Sequence, residues 1–332
     1  MASELKVDNI SEKTSGNGIA LSNSLRLKSY TTSEINALTG MSAGDTVYDS
    51  DLGTIKLYNG SNWAGMSDNT FLFNADFLLV AAGGGGGGSS GDGVAGGGGG
   101  GAGGMLEGTS YLINASTSYN CSIGAGGSGG SQGSTGGKGN DTSFNGFSAD
   151  GGGAGRDADD NNTTISSGGS AGGASGSSGG AAGTATQTDR SVGSYTWSGF
   201  GNAGGTKNDG NAGNFAGGGG GGAGGAASGR TRGVGRDSNI SGSTVTYAEG
   251  GYGQGTSNFI NAGVSGTTNR GDGGNGANNG ANTGGGGGSG VIIIKYPDTY
   301  TISLTGVQGN TTTSGGYNIT TLTSGSGSVS WS

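Results

Sequence analysis

Phe77-Leu78-Leu79-Val80-Ala81-Ala82 runs without a break into Gly83-Gly84-Gly85-Gly86-Gly87-Gly88. Far along the chain the order reverses: Gly284 to Gly288 give way to Ser289-Gly290-Val291-Ile292-Ile293-Ile294-Lys295-Tyr296-Pro297. Short apolar runs bounded by turn residues read as buried strands. A flexible linker has no use for a strand at each end, whereas a folded domain does. The glycines between the two runs are therefore expected to build ordered structure.

Glycine accounts for 88 of the 332 residues, and about 75 of these fall between residues 70 and 297. That is the glycine fraction of collagen, without its Gly-X-Y period and with a single proline, Pro297. Gly/Ser-rich linkers are the bland alternative. Disordered chains are rich in proline and charge and poor in aromatics. This block has few charges and carries Tyr111, Phe144, Phe147, Tyr195, Trp197, Phe200 and Tyr252 among other rings. With only 29% hydrophobic residues, a large oily core is excluded. The backbone itself must supply the cohesion. Polyglycine II does so: it is extended, has three residues per turn and makes no internal hydrogen bonds. Each peptide group must then find a partner on a neighbouring helix. The stretch from Gly168 to Gly183 holds nothing larger than serine, as close helix approach requires. Ordering glycine is entropically costly, so such helices are expected only as a bundle gripped by a β framework.

The chain divides by composition into residues 1–69, the glycine-rich 70–297, and 298–332. In the first part, Leu5-Lys6-Val7-Asp8-Asn9-Ile10 alternates like a strand, with further short strands expected at 18–21 and 25–27. A helical turn is expected at 33–38, capped by Thr32 or Ser33. Thr46-Val47-Tyr48-Asp49 and Thr54-Ile55-Lys56-Leu57-Tyr58 read as a hairpin. Strands are expected over 71–81, 109–113, 118–124, 143–149, 244–248 and 290–296, then over 300–304, 317–322 and 329–331. The fold class is mainly β: a short N-terminal module, a glycine-rich domain of polyglycine II helices packed with strands, and short C-terminal strands.

Several chemistries are excluded or disfavoured. With no histidine, neither a Ser-His-Asp triad nor a histidine-ligated metal is possible. Around Lys138 a phosphate-binding loop fails, because Gln132 replaces the first glycine and Gly139 follows the lysine. Residues 136–141 and 152–157 each match six positions of a calcium-binding nonapeptide, but neither repeats in tandem. Asp157, Asp159 and Asp160 read as a solvated acidic loop. No cofactor, no metal and no enzymatic activity are expected. The net charge of −8 and the lack of a basic stripe argue against nucleic acid. No apolar run nears the ~20 residues of a membrane span, and the start lacks the apolar core of a secretory signal. The lone Cys121 alternates with Tyr119 and Ile123, the pattern of a small buried hydrophobe.

Three segments resemble phage virion proteins. Val7-Asp8-Asn9-Ile10 through Gly18-Ile19 is similar to a short β module near the start of many tail-fibre proteins. Ala43-Gly44-Asp45-Thr46-Val47-Tyr48-Asp49 through Tyr58-Asn59-Gly60-Ser61-Asn62-Trp63 resembles a module common in tail fibres. Phe77–Gly88 with Gly287–Pro297 resembles the two ends of the glycine-rich domain of phage fibres. The resemblance implies a virion location, a homotrimer and attachment to other virion proteins through the N-terminal module. It also implies an adhesin that binds a host-surface glycan or outer-membrane protein through loops between glycine runs. The alternative is a structural spacer, neck or capsid fibre without receptor contact. In the homotrimer Ile10, Ile19, Leu21, Leu25 and Leu27 would line the common axis. For receptor contact the aromatic insert supplies Tyr195, Trp197 and Phe200, residue types typical of binding hot spots; the alternative is that these rings fill a small core between the glycine bundle and the sheet. Arg230 and Arg232 are the candidates for pairing with surface phosphates. An ice-binding or silk-like role is disfavoured because the inserts break any regular glycine period.

Overall fold

The computed structural model describes residues 26–66, 72–90, 95–159, 166–176, 182–209, 215–255, 263–278 and 283–332. The chain forms two compact units, Met1–Thr70 and Phe71–Ser332. The first contains β1 (Ser29–Tyr30), α1 (Thr32–Asn36), β2 (Thr46–Asp49), β3 (Thr54–Tyr58) and β4 (Trp63–Met66). Its four strands lie in that order in one sheet. Helix α1 is capped by Thr31, one residue before Thr32 and two before Ser33, the two expected caps. The Thr31 hydroxyl accepts from the Glu34 N–H, and the Glu34 carboxylate accepts from the Thr31 N–H at 2.8 Å. Asp49, fully buried, anchors the unit: it accepts from the Thr32 hydroxyl and from the Asp51 and Leu52 N–H groups, with the Lys56 ammonium 3.9 Å away. The strands expected at 5–10 and 18–21, and the axis residues Ile10, Ile19, Leu21 and Leu25, lie outside the described residues. Arg26 and Leu27 are described and are not in a strand, which corrects that part of the 25–27 expectation.

The second unit carries β5 (Leu72–Val80), β6 (Met105–Asn114), β7 (Tyr119–Ser122), β8 (Thr142–Phe144) and β9 (Phe147–Ala149). Next come β10 (Arg190–Val192), β11 (Tyr195–Phe200) and two small pairs, β12 (Asn208–Asp209) with β13 (Phe215–Ala216), and β14 (Arg236–Ser238) with β15 (Val245–Tyr247). Then follow β16 (Val291–Pro297), β17 (Ile302–Ser314) and β18 (Tyr317–Trp331). One sheet runs β10-β11-β6-β5-β16-β18-β7-β8-β9, with β17 on the free side of β18. Its two end strands, β9 and β10, touch, so the sheet nearly closes into a barrel. The two framing sequences pair directly, Val80 opposite Val291 and Phe77 opposite Ile294. Each is apolar on both faces because both faces are covered. Phe77, Leu79, Ile292 and Ile294 point into an aromatic-rich interior. Leu78, Val80, Ile293 and Met105 point outward, under Ile240, Val245 and Tyr247 of the β14–β15 hairpin.

Two expected strands change form. Residues 143–149 make a hairpin, because Asn145 and Gly146 both take positive φ (44° and 90°), the pairing of a tight primed turn. The C-terminal strands merge into one long hairpin. Strand β18 bonds to β16, β7 and β17, so residues 298–332 complete the same sheet as the glycine-rich segment.

Beyond the sheet the glycine runs form a lattice. Ala81, Gly84, Gly87 and Ser90 donate their N–H groups to Gly104, Gly101, Gly98 and Ala95. Ala82, Gly85 and Gly88 donate to Asn140, Gly137 and Ser134, and Gly83 and Gly86 to Gly288 and Gly285. The carbonyls follow the same period. Ala82, Gly85 and Gly88 accept from Gly152, Gly155 and Ala158, Gly83 and Gly86 from Gly127 and Gly130, and Gly84 and Gly87 from Gly274 and Ala277. Six neighbouring segments thus surround one run, with donor–acceptor distances of 2.8 to 3.1 Å and no bond inside the run. This is the three-residue repeat of polyglycine II. The run 95–104 has six neighbours of its own, including 215–221, 271–277 and 150–156. The glycines of 83–88 and 96–101 do not take positive φ. Glycine is needed there for space. A Cβ on Gly87 would lie less than 3.0 Å from the backbone of Arg156 and Asp157.

Candidate functional site

The aromatic insert expected to contact a receptor forms the β10–β11 hairpin, whose second strand joins the sheet through Phe200 opposite Met105. Alternation along β11 turns Trp197 inward. Trp197 is 1% exposed, stacked 3.7 Å from the Phe147 ring and 5.1 Å from the Phe77 ring. Its indole covers Gly108, where any side chain would collide with the ring. Trp197 is therefore a core residue, and its expected contact role is corrected on that ground. Tyr195 is half-buried, 4.6 Å from Tyr111. Phe200 is half-buried against the outer apolar cluster, under the Arg236 guanidinium at 3.6 Å. These two rings support the sheet, so the insert offers no aromatic platform.

Arg230 is exposed, and its carbonyl accepts from the Gly253 N–H. Arg232 is already engaged: it pairs with Glu249 at 2.8 Å and lies 5.0 Å from the Tyr252 ring. The expected pairing of Arg232 with a ligand phosphate would have to displace that carboxylate. Asp157 corrects a third expectation. It is 6% exposed and accepts from the Thr135 hydroxyl at 2.9 Å, so it belongs to the lattice and not to a solvated loop. Asp159 is exposed, and Asp160 lies outside the described residues.

The hydrogen-bond register identifies a different surface. From Ala81, next to the sheet, the run leads away to Ser90, which bonds to Ala95. At that far end Gly88 meets Ser134 and Ala158, Gly96 meets Phe215, and Gly97 meets Ala277. At this end lies the turn Ser131-Gln132-Gly133-Ser134-Thr135, exposed throughout, with Gly133 at φ 64°. Gln132 Nε2 donates to the Ser90 carbonyl at 3.4 Å, tying the turn to the central run. Phe215, 38% exposed, stands at the same end. Sequence reading passed over this turn. Its signal was present: two short glycine runs interrupted by larger polar residues. Among the described residues there is no group of three acidic or cysteine side chains placed to hold a metal. Nor is any described helix long and apolar enough to cross a membrane.

A family model described as a glycine-rich domain matches residues 59–297. No curated protein matches the chain.

Proposed function

We propose that this chain, which belongs to the glycine-rich domain family, is a non-enzymatic phage virion fibre or tail-fibre adhesin. Its partner is a host-surface glycan or outer-membrane protein, met by the segments between glycine runs. The observation that carries this reading is the filled lattice. Two central runs bond to six neighbouring segments each, and the first holds the described far-end turn 131–135 through Gly88 with Ser134 and Gly133 with Ser89. Preorganised surface turns bind with less ordering cost than flexible ones. The resemblance of residues 7–19 and 43–63 to tail-fibre modules supports attachment to the virion through the N-terminal unit, and a homotrimer. Sedimentation equilibrium tests the trimer, which has three times the 31.3 kDa chain mass.

The burial of Trp197 favours a second reading, a structural spacer without receptor contact. One experiment separates the two. Fluorescently labelled full-length chain is added to a panel of bacterial strains. Saturable binding to a strain, lost in Gln132→Trp at unchanged melting temperature, supports the adhesin. Failure to bind any strain leaves the spacer.

A further inference from the structure

Part of the outer face of the sheet is an apolar cluster that packs with Ile240, Val245 and Tyr247. Beside it a cleft of about 300 Å³ opens between strands β5, β6 and β16 and residues 238–240. Ile240 forms its apolar wall. Its polar groups are Asp76, Glu107, Thr109, Ser238, Asn239 and Lys295.

One irregularity of the backbone builds this place. The β5–β6 register slips between Ala75 and Phe77, where Thr109 and Ser110 of β6 stand opposite the single residue Asp76, a bulge on β6. Within that bulge Ser110 takes φ 53°, a left-handed conformation uncommon for a residue other than glycine. Bulges re-aim side chains, and strained residues collect at binding sites. Here the Ser110 N–H donates to Asp76 Oδ1 at 3.0 Å and fixes the carboxylate at the cleft. Lys295 lies directly opposite Asp76 in the β5–β16 register. Glu107 is met by Arg236 at 3.3 Å, and that guanidinium is itself held over the Phe200 ring.

The charges decide the ligand class. Glu107 is paired with Arg236, and Asp76 has Lys295 opposite it in the register, with that ammonium 4.5 Å from the centre of the Tyr317 ring. A simple anion would be repelled by the carboxylates and a simple cation by the basic groups. Adjacent hydroxyls answer both, since each donates to a carboxylate and accepts from an ammonium or amide. The volume lies at the small end of ligand sites, room for one ring. We infer that the cleft binds a single neutral pyranose unit. This site is separate from the far-end turns and does not depend on the reading of the chain as an adhesin.

The test is calorimetric titration of the full-length chain with the methyl glycosides of glucose, galactose, mannose and N-acetylglucosamine. Saturable binding of at least one, with a Kd of about 1 mM or tighter, is expected. Asp76→Asn, which retains the acceptor for Ser110, and Lys295→Met should each weaken it at least tenfold. Asn239→Trp, on the exposed turn, should abolish it by filling the cleft even if a strand variant misfolds. Gln132→Trp should leave it unchanged, so loss of cell binding and loss of sugar binding are distinguishable. Failure of all four glycosides to bind overturns the inference. So does equal binding of glycine, sulfate or spermidine, or sugar binding that the cleft variants do not alter.

Discussion

Gly87 has no room for a methyl group. Its six-sided enclosure brings the Arg156 carbonyl against the position a Cβ would take, and both belong to backbone held by further hydrogen bonds. Gly87→Ala must push two runs apart, so it should destabilise the second unit by the ~1–3 kcal/mol of overpacking, whereas an alanine for glycine in an ordinary helix stabilises. Gly286→Ala, where the added methyl meets nothing nearer than 3.4 Å and φ is not positive, is the control; the comparison is between urea midpoints. Cys121 makes a second residue-scale prediction. It is 4% exposed, and burial pushes its thiol up to about 11. The folded state resists forming the thiolate. This contribution is intact below the unfolded thiol's pKa near 9 and is lost as pH rises toward 11. Native protein at pH 8 should react with a thiol reagent far more slowly than urea-unfolded protein, and Cys121→Ala should flatten the fall in stability above pH 9. Trp197 shows where reading residues one by one stops. Tyr195-Thr196-Trp197 alternates like any half-buried strand, but the face that goes inward depends on pairing with β6, and the bare Gly108 that receives the indole is 89 positions away in the chain.

Among the elements, the framing strands were legible because the apolar runs meeting glycine at 80–83 and 288–291 have no other reading than buried strands entering a glycine lattice. The hairpin at 143–149 was half legible: Asn145-Gly146 is a turn signal that a continuous strand cannot contain. The neighbours of each glycine run were not legible. The runs share a glycine-rich composition with few side chains to tell one neighbour from another, so only the closed lattice decides that 81–90 lies beside 95–104 and 134–140. The C-terminal hairpin belongs to this scale. Strand β18 closes the sheet between β16 and β7 and buries Leu322, Val329 and Trp331. A chain ending at Pro297 should expose the β16 edge and the aromatic interior. It is expected to lose the cooperative thermal transition of the second unit and to aggregate, as followed by calorimetry and light scattering. A soluble truncated chain with an unchanged transition would mean that the sheet does not need β18.

For the whole molecule, the lattice changes how the protein meets temperature. Unfolding most domains bares apolar surface to water, which raises the heat capacity, while newly bared peptide groups lower it. In this chain the wall-to-wall contacts of residues 81–90 and 95–104 are between peptide groups, and the large apolar side chains gather in the sheet. Melting should therefore release an unusually polar surface. The heat-capacity increment is expected to fall clearly below the ~12–15 cal/mol/K per residue of ordinary domains. Scanning calorimetry at several pH values measures it from the slope of enthalpy against melting temperature. A small increment makes the stability curve broad and shallow. Such a molecule would keep its folded margin through freezing cold and through heat with little change.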